Sequence, residues 1–270
     1  MTRDLRRAAA AVAVAIAVIG LLYVGPVYRE LGARTVLWIY DVLVVASAWA
    51  GVVLAFRLWR SFTRGEVLRR IWGSLALWLV LWAVGEAIWS YDQLVGGERL
   101  PYPSLADAAW IAGYVAVAVG LSLRYRSFRM TAGRGRRYAF FWSFVTLASL
   151  VVALVTVPIV RQIDPSRVLE GVVNVLYPIG DLAITIGALW IALLLIGGAL
   201  SVPWGILAAG LLAAAVSDLM YVFAVSQGTY QVEASGGVNL LTFAVNVLYA
   251  ASYMIVDAGL YIQGRLQKVI

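Results

Sequence analysis

Ile71–Tyr91 reads IWGSLALWLVLWAVGEAIWSY, with no basic side chain and a single acid, Glu86. About 20 predominantly apolar residues let a helix cross ~30 Å of hydrocarbon, so this stretch predicts a transmembrane helix. An ionised carboxylate at that depth costs several kcal/mol, which makes Glu86 a candidate functional residue.

Seven further segments of similar character flank it, at roughly 8–25, 36–56, 105–123, 139–160, 171–197, 203–225 and 238–262. With 63% hydrophobic and 13% charged residues in a chain of 270, few positions remain for anything outside a bilayer. The expectation is an all-α, polytopic membrane helical bundle of about eight transmembrane helices, forming one integral membrane domain over 1–270. Membrane lipids are its expected surroundings.

The absence of Cys and His excludes disulfides, thiol nucleophiles, His-based metal or haem sites and a Ser-His-Asp triad. The single Lys, Lys268, lies beyond the last apolar run, so no Schiff-base lysine stands in the bundle. No cofactor or metal is expected. The net charge of +7 follows membrane topology and does not indicate a nucleic-acid partner.

Counting Arg and Lys in alternate loops orients the chain. Arg3, Arg6 and Arg7, the loops 57–70 and 124–137, and Arg265 with Lys268 hold sixteen of the twenty-one basic residues. Arg29, Arg34, Arg99, Arg161 and Arg167 are the other five. Both termini are therefore expected in the cytoplasm, and the chain in the plasma membrane. The first span is expected to be retained, because its apolar run is long for a signal peptide and no A-x-A-like site precedes Tyr28-Arg29.

Six acids fall in or against the apolar stretches: Asp41, Glu86, Asp107, Asp181, Asp218 and Asp257. Five of them, with Asn246, are expected in the outer half of the bundle, and Asp257 towards the cytoplasm. An internal duplication accompanies them. Gly85-Glu86-x-x-Trp89 corresponds to Ser217-Asp218-x-x-Tyr221, and Asp107-x6-Tyr114-x5-Gly120-Leu121 corresponds to Asn246-x6-Tyr253-x5-Gly259-Leu260 at a constant offset of 139. Tyr40-Asp41 and Tyr177-Pro178-x-x-Asp181 add a third echo. The halves, about 1–124 and 138–264, would be parallel four-helix repeats about an axis along the membrane normal, facing a shared cavity.

Each residue also has a plainer reading. Ser104-x-x-Asp107 before an apolar run is a capping box, with the acid suited to the first turn. Glu86, Asp181 and Asp218 would, on that reading, hydrogen-bond a Tyr, Trp or Ser on a neighbouring helix. Trp38, Tyr91, Trp142 and Trp204 fit an interfacial aromatic belt. Against this, the duplication sets Trp89, Tyr177, Tyr221 and Tyr253 beside the acids, and an acidic pocket walled by aromatics suits a cationic or amphiphilic small ligand. The candidate ligand-binding set is Glu86, Trp89, Asp107, Tyr177, Asp181, Asp218, Tyr221, Asn246 and Tyr253.

Gly85-Glu86-x-x-Trp89, Pro101-Tyr102-Pro103-Ser104-Leu105-Ala106-Asp107 and Tyr114 together resemble the membrane-embedded sensory region of bacterial diguanylate cyclases, cyclic-di-GMP phosphodiesterases and sensor kinases. Leu176-Tyr177-Pro178-x-x-Asp181, Ser217-Asp218-Leu219-x-Tyr221 and Gly228-x-Tyr230 are similar to the second half of that region. The resemblance implies a ligand-sensing input module of signal transduction. No GGDEF, EAL, PAS or kinase segment follows in this sequence, so catalysis is not carried over and a separate cytoplasmic signalling partner is expected. The Gly-Asp and Ser-Asp pairs also resemble the lysoplasmalogenase family of membrane hydrolases, which implies an acid–base pair drawn from Glu86 or Asp181 and Asp218. A cation- or proton-coupled transporter is the third expectation.

Overall fold

The computed structural model describes residues 2–96, 102–128, 133–161, 167–231 and 237–270. Arg99 and Pro101, named above, and part of the loop 124–137 lie outside these residues. The described chain is helical: α1 (Thr2–Leu22), α2 (Gly25–Leu31), α3 (Ala33–Arg60), α4 (Val67–Val95), α5 (Leu105–Phe128), α6 (Arg134–Val151), α7 (Val157–Arg161), α8 (Val168–Leu194), α9 (Ser201–Ser226) and α10 (Leu240–Leu266). Among the described residues, α1, α3, α4, α5, α8, α9 and α10 are long and apolar enough to cross a bilayer. That is the make-up of a multi-pass membrane protein.

The stretch expected at 139–160 differs. A π-helical turn at Val152–Thr156 divides it into α6 and α7, and only Phe141–Leu150 forms an apolar helix, too short by itself to span. The helix ends follow local chemistry. The side chain of Asn239 accepts from the backbone N–H of Thr242 to cap α10. Pro26 stands in the first turn of α2, where its missing N–H costs nothing. Gly32, at φ +78°, turns the chain from α2 into α3. α8 runs through Pro178 as one continuous helix.

Six helices close a ring. α3 packs on α4, α4 on α5, α5 on α8, α8 on α9, α9 on α10, and α10 back on α3. α1 lies outside against α10, and α6 and α7 lie against α8. An ion pair at 3.3 Å from Arg265 to Asp4 sets the end of α10 beside the start of α1. The core is Leu, Val, Ile and Ala with large rings such as Trp72, Trp78, Trp82 and Trp204. Two close approaches recur in it. A Cβ on Gly120 of α5 would stand 3.0 Å from the side chain of Leu75 on α4, and one on Gly259 of α10 would stand 2.9 Å from that of Leu207 on α9.

Candidate functional site

Glu86 of α4 is 2% exposed and gathers three donors on one oxygen. Its Oε1 accepts from Trp110 Nε1 at 3.0 Å, Tyr249 OH at 2.5 Å and Tyr253 OH at 2.7 Å. Trp110 comes from α5 and the tyrosines from α10, so a single carboxylate ties three helices together. The local sequence permits this. A Cβ on Gly85 would lie 2.6 Å from Trp110 Nε1, so only glycine lets the indole cross α4 to reach Glu86. Trp89 packs against Trp110, ring centroids 6.1 Å apart, one ring removed from the acid.

Asp181 of α8 is 2% exposed. Its Oδ1 accepts from Tyr114 OH of α5 at 2.5 Å. Gly180 does here what Gly85 does for Glu86, because a Cβ there would come within 2.9 Å of the Tyr114 ring. The half-buried Asp218 of α9 is within hydrogen-bonding reach of Asp181. Two carboxylates cannot hydrogen-bond without a proton between them, so this contact calls for a shared proton or a bridging cation.

Asp107 is the capping residue that its sequence predicts. Its Oδ2 accepts from Ser104 N at 2.6 Å and Ser104 Oγ at 3.1 Å, and Ser104 Oγ accepts from Ala106 N. Its Oδ1 is also engaged, by Tyr177 OH of α8 at 2.6 Å. Asn246 of α10 is a hub. Tyr40 OH donates to its backbone carbonyl, Tyr230 OH donates to its Oδ1, and its Nδ2 donates to Tyr23 OH. Burial, then the neighbouring Tyr221 and Asp41, push the phenol of Tyr230 well above its ordinary range, so it stays a donor. Tyr221 stacks edge-on against Tyr230 at 4.9 Å, within electrostatic reach of Asp218 and Asp107.

Apart from these clusters, Asp257 accepts from Ser47 Oγ at 3.0 Å between α10 and α3. Among the described residues, none of Asp41, Glu86, Asp181, Asp218 or Asp257 is ion-paired, and no three acidic side chains converge as a metal site. Two voids of about 10 Å³ lie in the core below this cluster, one of them lined in part by Trp78, Trp82 and Tyr253.

Hydrogen bonds and ring contacts thus link seven of the nine sequence-predicted residues, Glu86, Trp89, Asp107, Tyr177, Asp181, Asp218 and Tyr253, while Asn246 and Tyr221 meet at Tyr230 in a separate cluster. The sequence reading missed Trp110 and Tyr249, two of the three donors to Glu86. A signal existed: they are a pair at the offset of 139 that relates Tyr114 to Tyr253.

The chain matches no family model, no curated protein and no solved structure. The fold and the interior define its class by themselves: a multi-pass helical membrane protein whose ring of helices encloses carboxyl groups held by aromatic donors.

Proposed function

We propose that this protein is a membrane-embedded sensory module that takes a small cation, such as a protonated amine, into the acidic and aromatic interior of its ring. The observation that carries the reading is the contact of the buried Asp181 with the half-buried Asp218, two carboxyls without a basic partner among the described residues. A cation between them relieves the repulsion that a shared proton otherwise relieves. The flanking tyrosines and Trp110 supply the aromatic faces and hydroxyl oxygens that favour an ammonium group.

The topology belongs to the same proposal. The chain crosses the plasma membrane eight times, α6 with α7 making the fifth crossing, and both termini are cytoplasmic. The Arg and Lys asymmetry supports this, and the Arg265–Asp4 pair agrees with termini on one side. The site then lies in the outer half and is reached from outside. The two halves are repeats. Gly120 on Leu75 and Gly259 on Leu207 are the same approach made twice, and Tyr177 to Asp107 echoes Tyr40 to Asn246. The likeness is strongest for α3–α5 and α8–α10, since α1 and α6 dock on non-equivalent neighbours.

Calorimetric titration of the protein in lipid nanodiscs with methylammonium, with a pH indicator present, tests the proposal. Binding with proton release is expected. Glu86→Gln and Asp218→Asn should each weaken it by at least roughly tenfold, as truncating one side of a buried charge contact does. No binding, or binding indifferent to both substitutions, would refute it.

The Asp181–Asp218 contact also favours a second reading, an intramembrane hydrolase in which one carboxyl protonates and the other activates water. Turnover of an alkenyl ether lipid, lost in Asp218→Asn, would decide for it.

A further inference from the structure

We propose that the outward face of α3 and the turn between α3 and α4 bind one anionic phospholipid, its acyl chain along the helix and its phosphate on Arg57 and Arg60. The inference stands independently of the cation-binding reading.

Trp49, Val53, Phe56 and Arg60 follow one another at spacings of four, three and four, so they share one face of α3. All four are exposed, whereas Val44, Ala48, Ala55 and Leu58 are buried on the opposite face towards the ring. From Trp49 to Arg60 the helix rises about 16 Å. That is about half of the ~30 Å of hydrocarbon, the reach of one leaflet's chains. The stripe is apolar along this length and ends in a cation, where a lipid places its phosphate. In the topology proposed above this is the cytoplasmic leaflet.

The cationic end is held in place. The Arg60 guanidinium lies 5.7 Å from the centroid of the Phe56 ring, Phe56 and Trp59 stand 5.1 Å apart, and the Arg69 guanidinium lies 4.7 Å from the Trp59 centroid. A Cβ on Gly73 of α4 would come within 3.1 Å of Trp59 Nε1, so a glycine seats the indole at the α3–α4 contact. Arg69 also donates to the carbonyl of Phe62 at 2.5 Å. Two guanidinium groups are thus positioned through a pair of touching rings, which lowers the cost of ordering them around an anion.

Charge and shape together name the occupant. The segment 57–70 carries five arginines and a single acid, Glu66, whose carboxylate is engaged by Thr63 N and Thr63 Oγ1. Among the described residues none of the five is ion-paired. A guanidinium matches two phosphate oxygens at once, and basic clusters at the end of a span attract anionic headgroups. A soluble anion would meet these cations but leave the apolar stripe unused. A zwitterionic lipid would use the stripe but bring no net charge to the arginines.

Native mass spectrometry of the full-length protein, released from nanodiscs of equal parts phosphatidylglycerol and phosphatidylcholine, tests the proposal. The wild type should retain one phosphatidylglycerol in preference, and excess glycerol phosphate, a headgroup without chains, should not displace it. Arg57→Gln with Arg60→Gln should lower the retention at least roughly tenfold. Arg6→Gln with Arg7→Gln removes the same charge from the exposed start of α1 and should leave it unchanged. Equal loss in the two paired variants means diffuse attraction and overturns the proposal. Displacement by glycerol phosphate overturns it too, as does a wild type without preference, and neither of these outcomes depends on whether a variant folds.

Discussion

Glu86 holds its three donors on Oε1, and each can be removed without touching the acid. Tyr253→Phe keeps the ring and deletes one hydroxyl. It should cost about 0.6–1.5 kcal/mol, the range for an interhelical hydrogen bond inside a membrane bundle, read as a modest fall in thermal midpoint. Glu86→Gln should leave the empty protein as stable as the wild type or more so, because an amide has no charge to bury. Gly180→Val should be harsher. The Tyr114 ring lies where the new side chain would go, so roughly 1–3 kcal/mol of overpacking is expected, with loss of the bond to Asp181 in the tyrosine's ultraviolet signature. What the sequence told of these residues followed their chemistry. Glu86, Asp181 and Asp218 stood out because hydrocarbon tolerates few acids. Asp107 was legible as a cap because the box motif is local, but the Tyr177 bond to its second oxygen joins helices seventy residues apart. Trp110 and Tyr249 did not stand out as donors, since an aromatic in a span equally suits a lipid belt and only the offset of 139 pairs them.

The helices themselves were legible in position but not in length. α3 and α4 run several residues past the apolar stretches that announced them, since hydropathy marks the hydrocarbon and a helix continues into the polar boundary. α2 escaped notice, being short and not apolar enough to register. The stretch 139–160 was read as one span, whereas a π turn parts it into α6 and α7, and nothing in an apolar pattern announces a π turn. The glycines at the α4–α5 and α9–α10 contacts give a paired prediction. Gly120→Leu and Gly259→Leu each press a side chain onto an equivalent leucine, Leu75 or Leu207. Both should destabilise by about 1–3 kcal/mol, and by similar amounts. A large inequality in their unfolding midpoints would count against the duplication.

Across the whole molecule, side of membrane is the first thing to test. A single Cys at Gly96, just after α4, should react with an impermeant reagent from outside, and one at Gly133, just before α6, only from the cytoplasm. Equal labelling of the two from one side would overturn the orientation and the outward-facing site with it. The closed ring was not legible, since hydropathy says that helices span and not which neighbours they choose. Its closure has a mechanical consequence. Among the described residues, the triplets α3–α5 and α8–α10 pack side by side at two seams, α5 with α8 and α10 with α3, and Tyr249 and Tyr253 of α10 also reach Glu86 of α4. The bonds Tyr114 to Asp181, Tyr177 to Asp107 and Tyr40 to Asn246 all cross those seams, and Tyr253 reaches Glu86 from the far side of one. The latches that hold the triplets shut are thus the same groups that would meet a cation, and Trp82 touches both Tyr114 and Tyr253 between them. On the proposed reading, whatever loosens a tyrosine from its acid also loosens a seam between the triplets, so that ligand binding and helix packing would be one event.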